Sequence, residues 1–587
     1  MKIKERARPE KAPVENAEIA RRFDEVADCL ELEGANEFRV RAYWNAARVM
    51  RELPRPAARL ARDGDGGLEG LPGIGKDLAG KIRTIVETGE LPHHRELCRR
   101  VPAGLRAMMG VPGLGPKRAM ILNKKLGIAS PAQLKAAAAA GRIRALKGFG
   151  ARTETAVLVG LADLEGSPRR ILLSEAKPYA EALVAHLKGA PGATAVEAAG
   201  SYRRRRETVG DLDILAATAR PRLVMERLAS YDGVARVLAR GGTKMTVRLK
   251  NGLQVDLRAV PAESFGAALQ YFTGSKAHSI ELRARAQTRK LKLSEYGVFH
   301  GARRVAGRDE ADVYAALGLP LIPPELREGR GEVERALAGG LPSLVELGDI
   351  KGDLHMHTTV TDGRDGLEEM VEAAKARGYE YVAITEHSKR VTMARGLDAA
   401  GLRRHWRRIE KLAARTSGLA VLKGVEVDIL DDGALDLPDD VLREADWVLA
   451  SLHYGQRQPR ERITRRLLAA IKNPVVSAIG HPTGRIIGKR PPYDADMEEV
   501  LKAAADHGCA LELDGQPDRL DLNDVDAAAA KAKGIPIVVD SDAHSVHELG
   551  NMENGVFQAR RAGLTAADVA NTRPWAGLRR LIRRRAG

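Results

Sequence analysis

Cysteine is scarce. Only Cys29, Cys98 and Cys509 occur among 587 residues. At that spacing they offer neither a disulfide framework nor a Cys-rich zinc site, and their scarcity fits a reducing cytoplasm, with the nucleoid as the expected location. No apolar run approaches the ~18 residues of a membrane span, so no membrane partner is expected. The N-terminal MKIKERARPEKAPVENAEIA has no apolar signal core. It runs almost directly into helical periodicity, so an N-terminal protein-interaction domain is not expected. Lysine and isoleucine are few beside arginine and alanine, a bias that a GC-rich genome produces as readily as any function.

The chain is far longer than one core supports, and about three to five domains are expected. Hydrophobic residues make up 44% of it, enough for large cores, and the formal net charge is +17. Such a basic excess points to a polyanionic partner, most often nucleic acid.

Residues 1–15 are charged and read as a flexible N-terminus. From residue 16 apolar positions recur at helical spacing, as in AEIARRFDEVADCLELEG. One pattern then repeats. LEGLPGIGKDLAGKI (68–82) is matched by MMGVPGLGPKRAMIL (108–122) and, more weakly, by LKGFGARTETAVL (146–158). Each copy has an apolar residue, Gly-X-Gly and an amphipathic helix. The glycines Gly73, Gly75, Gly113, Gly115, Gly148 and Gly150 allow a tight turn and close backbone approach. The helix that follows offers unpaired N–H groups to a phosphate. This resembles the helix-hairpin-helix motif, which grips the DNA backbone without reading sequence. Lys76, Lys81, Lys117 and Arg118 suit that role.

Residues 170–260 switch to strand alternation. In GSYRRRRETVGDLDIL (200–215), Asp211 and Asp213 lie two apart in a β-like run and share one face. LQVDLRAV puts Asp256 and Arg258 on one side, with Val255 and Leu257 on the other. Carboxylates converging from neighbouring strands repel unless cations sit between them. Asp211, Asp213 and Asp256 read as a catalytic site for two Mg2+ or Mn2+ ions. One ion activates a 3′-hydroxyl and the other holds a triphosphate. Ser201, on the Gly200-Ser201 turn, and the fork of Arg204 suit phosphate oxygens.

Gly200, Ser201, Arg204, Gly210, Asp211, Asp213 and Asp256 together resemble the nucleotidyltransferase palm of family X DNA polymerases. YFTGSKAHSIELRARAQTRKLKLSEYGVF (271–299) resembles that family's thumb. The resemblance implies that Tyr271, Phe272 and Gly274 lie under the incoming sugar and that Arg283 approaches the template strand. Ser279 stands where many bacterial relatives have Asn, which shortens a minor-groove contact. The implied partners are gapped, nicked or primer-template DNA and deoxynucleoside triphosphates.

From residue 350 short apolar runs alternate with helical stretches, the pattern of βα units. The runs keep ending in potential ligands. GDLHMHTTVTDG supplies His355, His357 and Asp362; later runs supply His387, Glu426, His453, His481, Asp542 and His544. With CALELDG as a further run, seven strands are expected. In a β/α barrel the C-terminal strand ends share one face, so distant ligands converge there. His405, His507 and His547 fall outside the pattern. This resembles the PHP superfamily (polymerase and histidinol phosphatase), a distorted seven-stranded barrel with a trinuclear site. Up to three Mn2+, Zn2+ or Fe2+ ions are implied, with metal-dependent attack on a phosphoester.

The expected fold is therefore multidomain, α+β and α/β. Residues 16–90 form an N-terminal helical domain and 91–165 a fingers-like region. A nucleotidyltransferase palm with a mixed sheet covers 166–261, a thumb 262–325, a linker 326–349 and the barrel 350–587. The resemblance implies a repair polymerase for short-gap filling, fused to a 3′-5′ exonuclease or phosphoesterase that cleans 3′-ends. Three alternatives compete: an end-processing phosphoesterase whose polymerase half mainly binds DNA, a non-enzymatic DNA scaffold, and a nucleotidyltransferase acting on RNA or small molecules. Lys81 stands where lyase-active members place a Schiff-base lysine, but Asp77 replaces the supporting lysine one turn earlier. Weak or absent 5′-deoxyribose phosphate lyase activity is expected.

Overall fold

The computed structural model describes residues 14, 16–51, 53, 57–62, 67–109, 111, 114–146, 148–150, 153–154, 157–158, 161 and 170–583. The expected flexible N-terminus, apart from Val14, and Gly113 of the second glycine repeat lie outside the described residues. The chain divides into two compact units, residues 1–168 and 169–587.

The first unit is helical. Its described elements are α1 (Asn16–Leu32), α2 (Glu37–Arg51), α3 (Ala57–Leu60), α4 (Lys76–Thr88), α5 (Pro92–Arg100), α6 (Ala103–Met108), α7 (Pro116–Leu126) and α8 (Pro131–Ala139). In α1 the positions Ile19, Phe23, Val26 and Leu30 follow helical spacing and are all buried. Phe23, Ile82, Leu97, Leu122, Leu134 and Phe149 belong to a single apolar cluster. The segments 16–90 and 91–165 thus share one core.

The three glycine repeats have one backbone design. Ile74, Leu114 and Phe149 are buried between the two glycines of their copies. Each donates its N–H to the carbonyl three residues earlier, at 3.1, 2.9 and 3.0 Å. The second glycine then accepts the first helical bond: Ala79 on Gly75, Ala119 on Gly115 and Glu154 on Gly150. Gly73 and Gly148 have φ of 77° and 91°, where a side chain is strained.

In the second unit the first sheet has the order β2-β4-β7-β6-β5, built from Ala193–Ala198, Asp211–Thr218, Gln254–Val260, Lys244–Leu249 and Val234–Arg240. Strands β4 and β7 are parallel; the other pairs are antiparallel. A short pair, β1 (Ile171–Leu172) with β3 (Thr208–Val209), precedes β4. Helices α9 (Leu173–Lys188) and α11 (Pro221–Ala229) supply Leu183, Val224 and Leu228 to the core under Val247, Val255 and Leu257. The four-residue α10 (Gly200–Arg203) follows β2.

Helices α12 (Phe265–Thr273), α13 (Lys276–Thr288) and α14 (Glu310–Ala316) pack with a three-stranded antiparallel sheet, β8 (Lys292–Ser294), β9 (Gly297–His300) and β10 (Arg303–Ala306). The stretch expected as a linker, 326–349, is packed. It forms α15 (Glu332–Leu337) and sends Leu326, Val333 and Ala336 into the same core as Leu282 and Val313. Val345 then joins the core of the following barrel, its N–H donating to the carbonyl of Leu564 at 3.0 Å.

The last sheet has seven parallel strands in sequential order: β11 (Gly352–Asp353), β12 (Tyr381–Ile384), β13 (Ala420–Asp428), β14 (Trp447–Ser451), β15 (Ala478–Gly480), β16 (Ala510–Asp514) and β17 (Ile537–Asp540). A parallel bridge between Met356 and Ala543 joins the first strand to the last and makes a nearly closed barrel. The connections carry α16 (Leu367–Ala376), α17 (Ala399–Ala413), α18 (Asp439–Leu442), α19 (Arg460–Lys472), α20 (Met497–His507) and α21 (Asp524–Ala532); α22 (Met552–Arg561) and α23 (Trp575–Arg583) follow. Val382, Ile384 and Val448 pack outward with the helices. Tyr381, Ala383, Trp447, Leu449 and Val538 form a second cluster, which Leu578 of α23 completes. Period-two alternation carries Thr385 and His387, Ser451 and His453, and Asp540 and Asp542 onto the same inner face. Apolar side chains fill one end of the barrel and polar ones the other. Among the described residues no helix is long and apolar enough to cross a membrane.

Candidate active sites

The polar end of the barrel gathers all nine candidate ligands. His357, Asp362, His387 and His544 have ligand atoms within 4.8 Å of one another, as do His355, Glu426 and His481; His355, His357 and Asp542; and His387, Glu426 and His453. The sets overlap through His355, His357, His387 and Glu426, the arrangement of a polynuclear site. Nε2 of His355 lies 3.1 Å from Nε2 of His357, and both lie 3.3 Å from Oδ1 of Asp542.

The chemistry of these donors fits metal ions better than hydrogen bonding. Nδ1 of His387 is 2.8 Å from Oε2 of Glu426. Yet that nitrogen, both oxygens of Glu426 and Nδ1 of His357 are buried without an aligned hydrogen bond. Completely buried polar atoms of this kind are costly unless something coordinates them. Burial pushes His387 down, but Glu426 and Asp362 outweigh it and carry the imidazole up to about 10. His544 is carried up to about 9 against burial by Asp542 and Asp362. Burial and the neighbouring His387 and His544 push His357 down to about 3. Burial pushes Glu426 up, but His453, His387 and His355 hold its carboxyl well below the usual range.

A layer of carboxylates behind the ligands was not legible as ligand support from the strand-end pattern. Glu512 of β16 accepts from Nδ1 of His355 and from the His481 N–H, both at 2.5 Å. Asp428 of β13 lies 3.2 Å from Nδ1 of His453. These contacts fix which imidazole nitrogen faces inward. The alternation in CALELDG was the available signal, since it aims Glu512 and Asp514 inward with Ala510. His405 is buried 3.4 Å from Glu386, whereas His507 and His547 are exposed.

On the first sheet Asp213 of β4 is paired in register with Asp256 of β7, and Asp211 with Gln254. Asp256 accepts from Thr246 at 2.5 Å and from Gln254 at 2.9 Å, and Lys244 lies 3.4 Å away. Burial, with the charges of Asp211 and Asp256, pushes Asp213 up to about 7. Burial and Asp256 also raise Asp211. Carboxylates this unfavourable when charged suit a cation. Gly200 has φ of 63°, and a Cβ there would lie 2.3 Å from Oδ2 of Asp213. Only glycine lets α10 start against that carboxylate.

The expected nucleotide contacts surround this point unevenly. Tyr271 and Phe272 make an edge-to-face pair with centroids 5.0 Å apart, and Arg258 stacks 4.4 Å over Phe272. Gly274 is buried beside Arg204, and Ser201 and Gly210 are half-buried. Arg204 does not stand open. Its Nε donates to Glu328 at 3.1 Å and its NH1 to the carbonyl of Thr273. Arg283 donates to the Ser279 carbonyl at 3.1 Å, and the Ser279 hydroxyl is buried without a hydrogen bond.

In the helical unit Gly75 and Gly115 begin α4 and α7, and neither helix has a side-chain cap. Lys76 and Lys117, at those starts, are exposed. Open N–H groups beside exposed cations suit phosphate. Lys81 differs: it is paired with Asp77 and lies 5.2 Å over the ring of Tyr43.

Profiles of known families match four stretches. A helix-hairpin-helix domain covers residues 14–91 and a SAM-like helix-hairpin-helix tandem covers 105–163. The DNA polymerase beta thumb covers 268–328 and the PHP domain covers 353–515. The DNA polymerase/3′-5′ exonuclease PolX of Bacillus subtilis (strain 168) is 38% identical over 560 residues, spanning 95% of this chain and 97% of its own. The chain belongs to the PolX family. It is a family X polymerase chain with a C-terminal PHP domain.

Shorter relatives align with a smaller part of this PolX chain. A probable phosphatase of Thermoanaerobacter sp. (strain X514) is 34% identical over 235 residues, 38% of this chain and 89% of its own. Another, from Vibrio parahaemolyticus, is 32% identical over 221 residues, 35% and 82% of the two chains. The PHP profile stops at residue 515, before β17, so Asp542 and His544 join the site through the fold. In this PolX chain both the PHP region and the donor sets imply metal dependence.

Proposed function

We propose that this chain is a DNA-directed DNA polymerase that fills short gaps during DNA repair and a 3′-5′ exonuclease or phosphoesterase that processes 3′-ends. The reading rests on one observation. The Asp213–Asp256 register and the nine-ligand barrel cluster are complete and belong to different sheets. The family relationship adds the two activities in the name of its Bacillus relative.

In the palm, Asp211, Asp213 and Asp256 hold Mg2+ or Mn2+. Gly200 and Ser201 admit the triphosphate of a deoxynucleotide, Tyr271, Phe272 and Gly274 border its sugar, and Arg258 offsets carboxylate charge. In the barrel the nine ligands hold Mn2+, Zn2+ or Fe2+, and Glu512 and Asp428 fix the imidazole tautomers. When bound, the ions supply Lewis-acid activation of a 3′-hydroxyl in the palm and of water in the barrel. The glycine repeats hold gapped, nicked or primer-template DNA by its phosphates.

A primer-extension and 3′-degradation assay on labelled gapped DNA tests the reading. Asp256→Ala lowers extension by orders of magnitude and leaves degradation, while His355→Ala does the reverse. Loss of degradation in Asp256→Ala overturns the division of labour. Undiminished extension in Asp256→Ala overturns the role given to that carboxylate, and absence of extension in the unsubstituted chain favours a chain whose polymerase half only binds DNA.

A further inference from the structure

The barrel site opens at Asp362. That side chain is 33% exposed, more than any other of the nine ligands, whereas His355, His357 and Glu426 are fully buried. Helix α17 is anchored beside this opening. His405, on its buried face with Leu402, Trp406 and Ile409, lies 3.4 Å from Glu386, the neighbour of ligand His387. Glu386 accepts in turn from the hydroxyls of Thr358 and Thr361, which adjoin His357 and Asp362. Trp406 donates to the carbonyl of Gly424 at 2.9 Å and fixes the helix against β13. The loop that joins His387 to α17 reaches the same edge, where the exposed Arg395 donates to the carbonyl of Thr361.

The outer face of α17 is a row of cations. Arg404, Arg407, Arg408 and Lys411 are exposed and fall within an arc of about 100° at 3.6 residues per turn. Among the described residues none of the four has a hydrogen bond or an ion pair. Pairing is within reach of the same helix, since Arg403 donates to Glu444 at 2.5 Å. The one acid of α17, Glu410, is taken by Lys423 at 3.0 Å. Arg395 bonds only to neutral carbonyls, so its charge is left uncompensated as well.

We propose that this row is the track for the DNA strand whose 3′-end enters the barrel, an inference that rests on the barrel being the hydrolytic site. Uncompensated cations in a row attract a polyanion, and Arg395 carries the row to Asp362. From Arg404 to Lys411 the helix rises about 10 Å, the axial length of about three nucleotides of one strand at ~3.4 Å each. The row holds phosphates upstream of the one that is cleaved. It reads no base and supplies no group to the reaction. The competing account is a solvated face that only adds charge. Such a face needs no continuity with the site, whereas this one begins at the exposed ligand and is fixed to it through His405 and Glu386. The two accounts differ in one measurable respect: a track favours only substrates long enough to lie on it.

The test compares a long and a short phosphodiester. The full chain with Mn2+, unsubstituted and as the triple variant Arg404→Glu, Arg408→Glu and Lys411→Glu, is assayed on a 5′-labelled single-stranded oligonucleotide and on bis(4-nitrophenyl) phosphate. The ratio of the two kcat/KM values, DNA over small diester, is expected to fall about tenfold or more in the variant at low salt, with the loss carried by KM. The slope of log kcat/KM for DNA against log salt becomes shallower by about 2, the counterion release of about three single-strand phosphates. An unchanged ratio, including an equal loss on both substrates, overturns the proposal. Should the variant fail to fold, acetylation of Lys411 in the unsubstituted, metal-free chain decides, read by mass spectrometry. It slows when the oligonucleotide is added, and an unchanged rate overturns the proposal. Hydrolysis of neither substrate by the unsubstituted chain defeats the barrel reading by itself, and the acetylation rate then decides the track in the same way.

Discussion

Arg561, the last residue of α22, donates to Glu328 at 3.0 Å across the boundary between the barrel and the segment that follows the thumb helices. The same guanidinium donates to the carbonyl of Arg204 and to Asp524, both at 2.6 Å. Arg204 is itself bonded to Glu328, and Arg330 reaches Asp524 at 3.0 Å. The barrel thus holds the turn that carries Gly200 and Ser201. Arg561→Met leaves buried carboxylates short of a partner, and a loss of about 3–5 kcal/mol is expected in denaturant unfolding. Extension falls further than 3′-degradation, because every nine-ligand contact is untouched.

The same junction sets an acid limit. Burial raises Glu328, but Arg561, Arg204, Arg206 and Arg330 outweigh it and hold the carboxyl at about 2. A carboxyl lowered from its ordinary 4.5 contributes stability that is fully present above that value and is lost as pH falls toward 2. Unfolding free energies measured from pH 5 to pH 2 should therefore decline, with Glu328 contributing on the order of 3 kcal/mol of the loss. Glu328→Gln flattens that slope. An unaltered slope shows that other carboxyls govern it.

Gly200→Ala tests the close approach in the palm. The added methyl lies 2.3 Å from Oδ2 of Asp213, on backbone with φ of 63°. Extension is expected to fall by orders of magnitude with the exonuclease intact. Circular dichroism and the melting temperature separate a displaced carboxylate from an unfolded palm.

DNA affinity is expected to depend on salt and little on sequence, since open helix starts and exposed lysines meet phosphates. Gly73→Val strains a turn with φ of 77° by about 1 kcal/mol and blocks backbone approach. Fluorescence anisotropy on gapped DNA across a salt series should show weaker binding at every concentration. An affinity flat from low to physiological salt contradicts backbone recognition.

Lys81 is expected to be a poor Schiff-base nucleophile. Burial lowers its pKa, but hydrogen bonds with Asp77 and Tyr43 outweigh it, and the net shift is upward. The amine stays protonated. Borohydride trapping on a nicked 5′-deoxyribose phosphate substrate should be weak and should strengthen in Asp77→Lys. Efficient trapping that disappears in Lys81→Ala would reverse the assignment.

The parts most legible in the sequence were those with a local period. Strand alternation put Asp211 and Asp213 on one face, and strand-end histidines announced the barrel, because both arise from periods of two and from one open barrel end. Relations between distant segments were not legible. Glu328, Asp524 and Arg561 carry no local signal, and their meeting depends on how the barrel helices pack. The linker reading of 326–349 failed to register Val333 and Ala336 as core residues for the same reason.

The sequential strand order of the barrel has a consequence for the chain as it is being made. Its ligands begin at His355 and end at His544, beyond the seventh strand. A ribosome finishes every palm carboxylate well before it reaches Asp542. The cluster of nine potential ligands is therefore the last to be assembled, and a nascent chain carries Asp211, Asp213 and Asp256 before that cluster is complete.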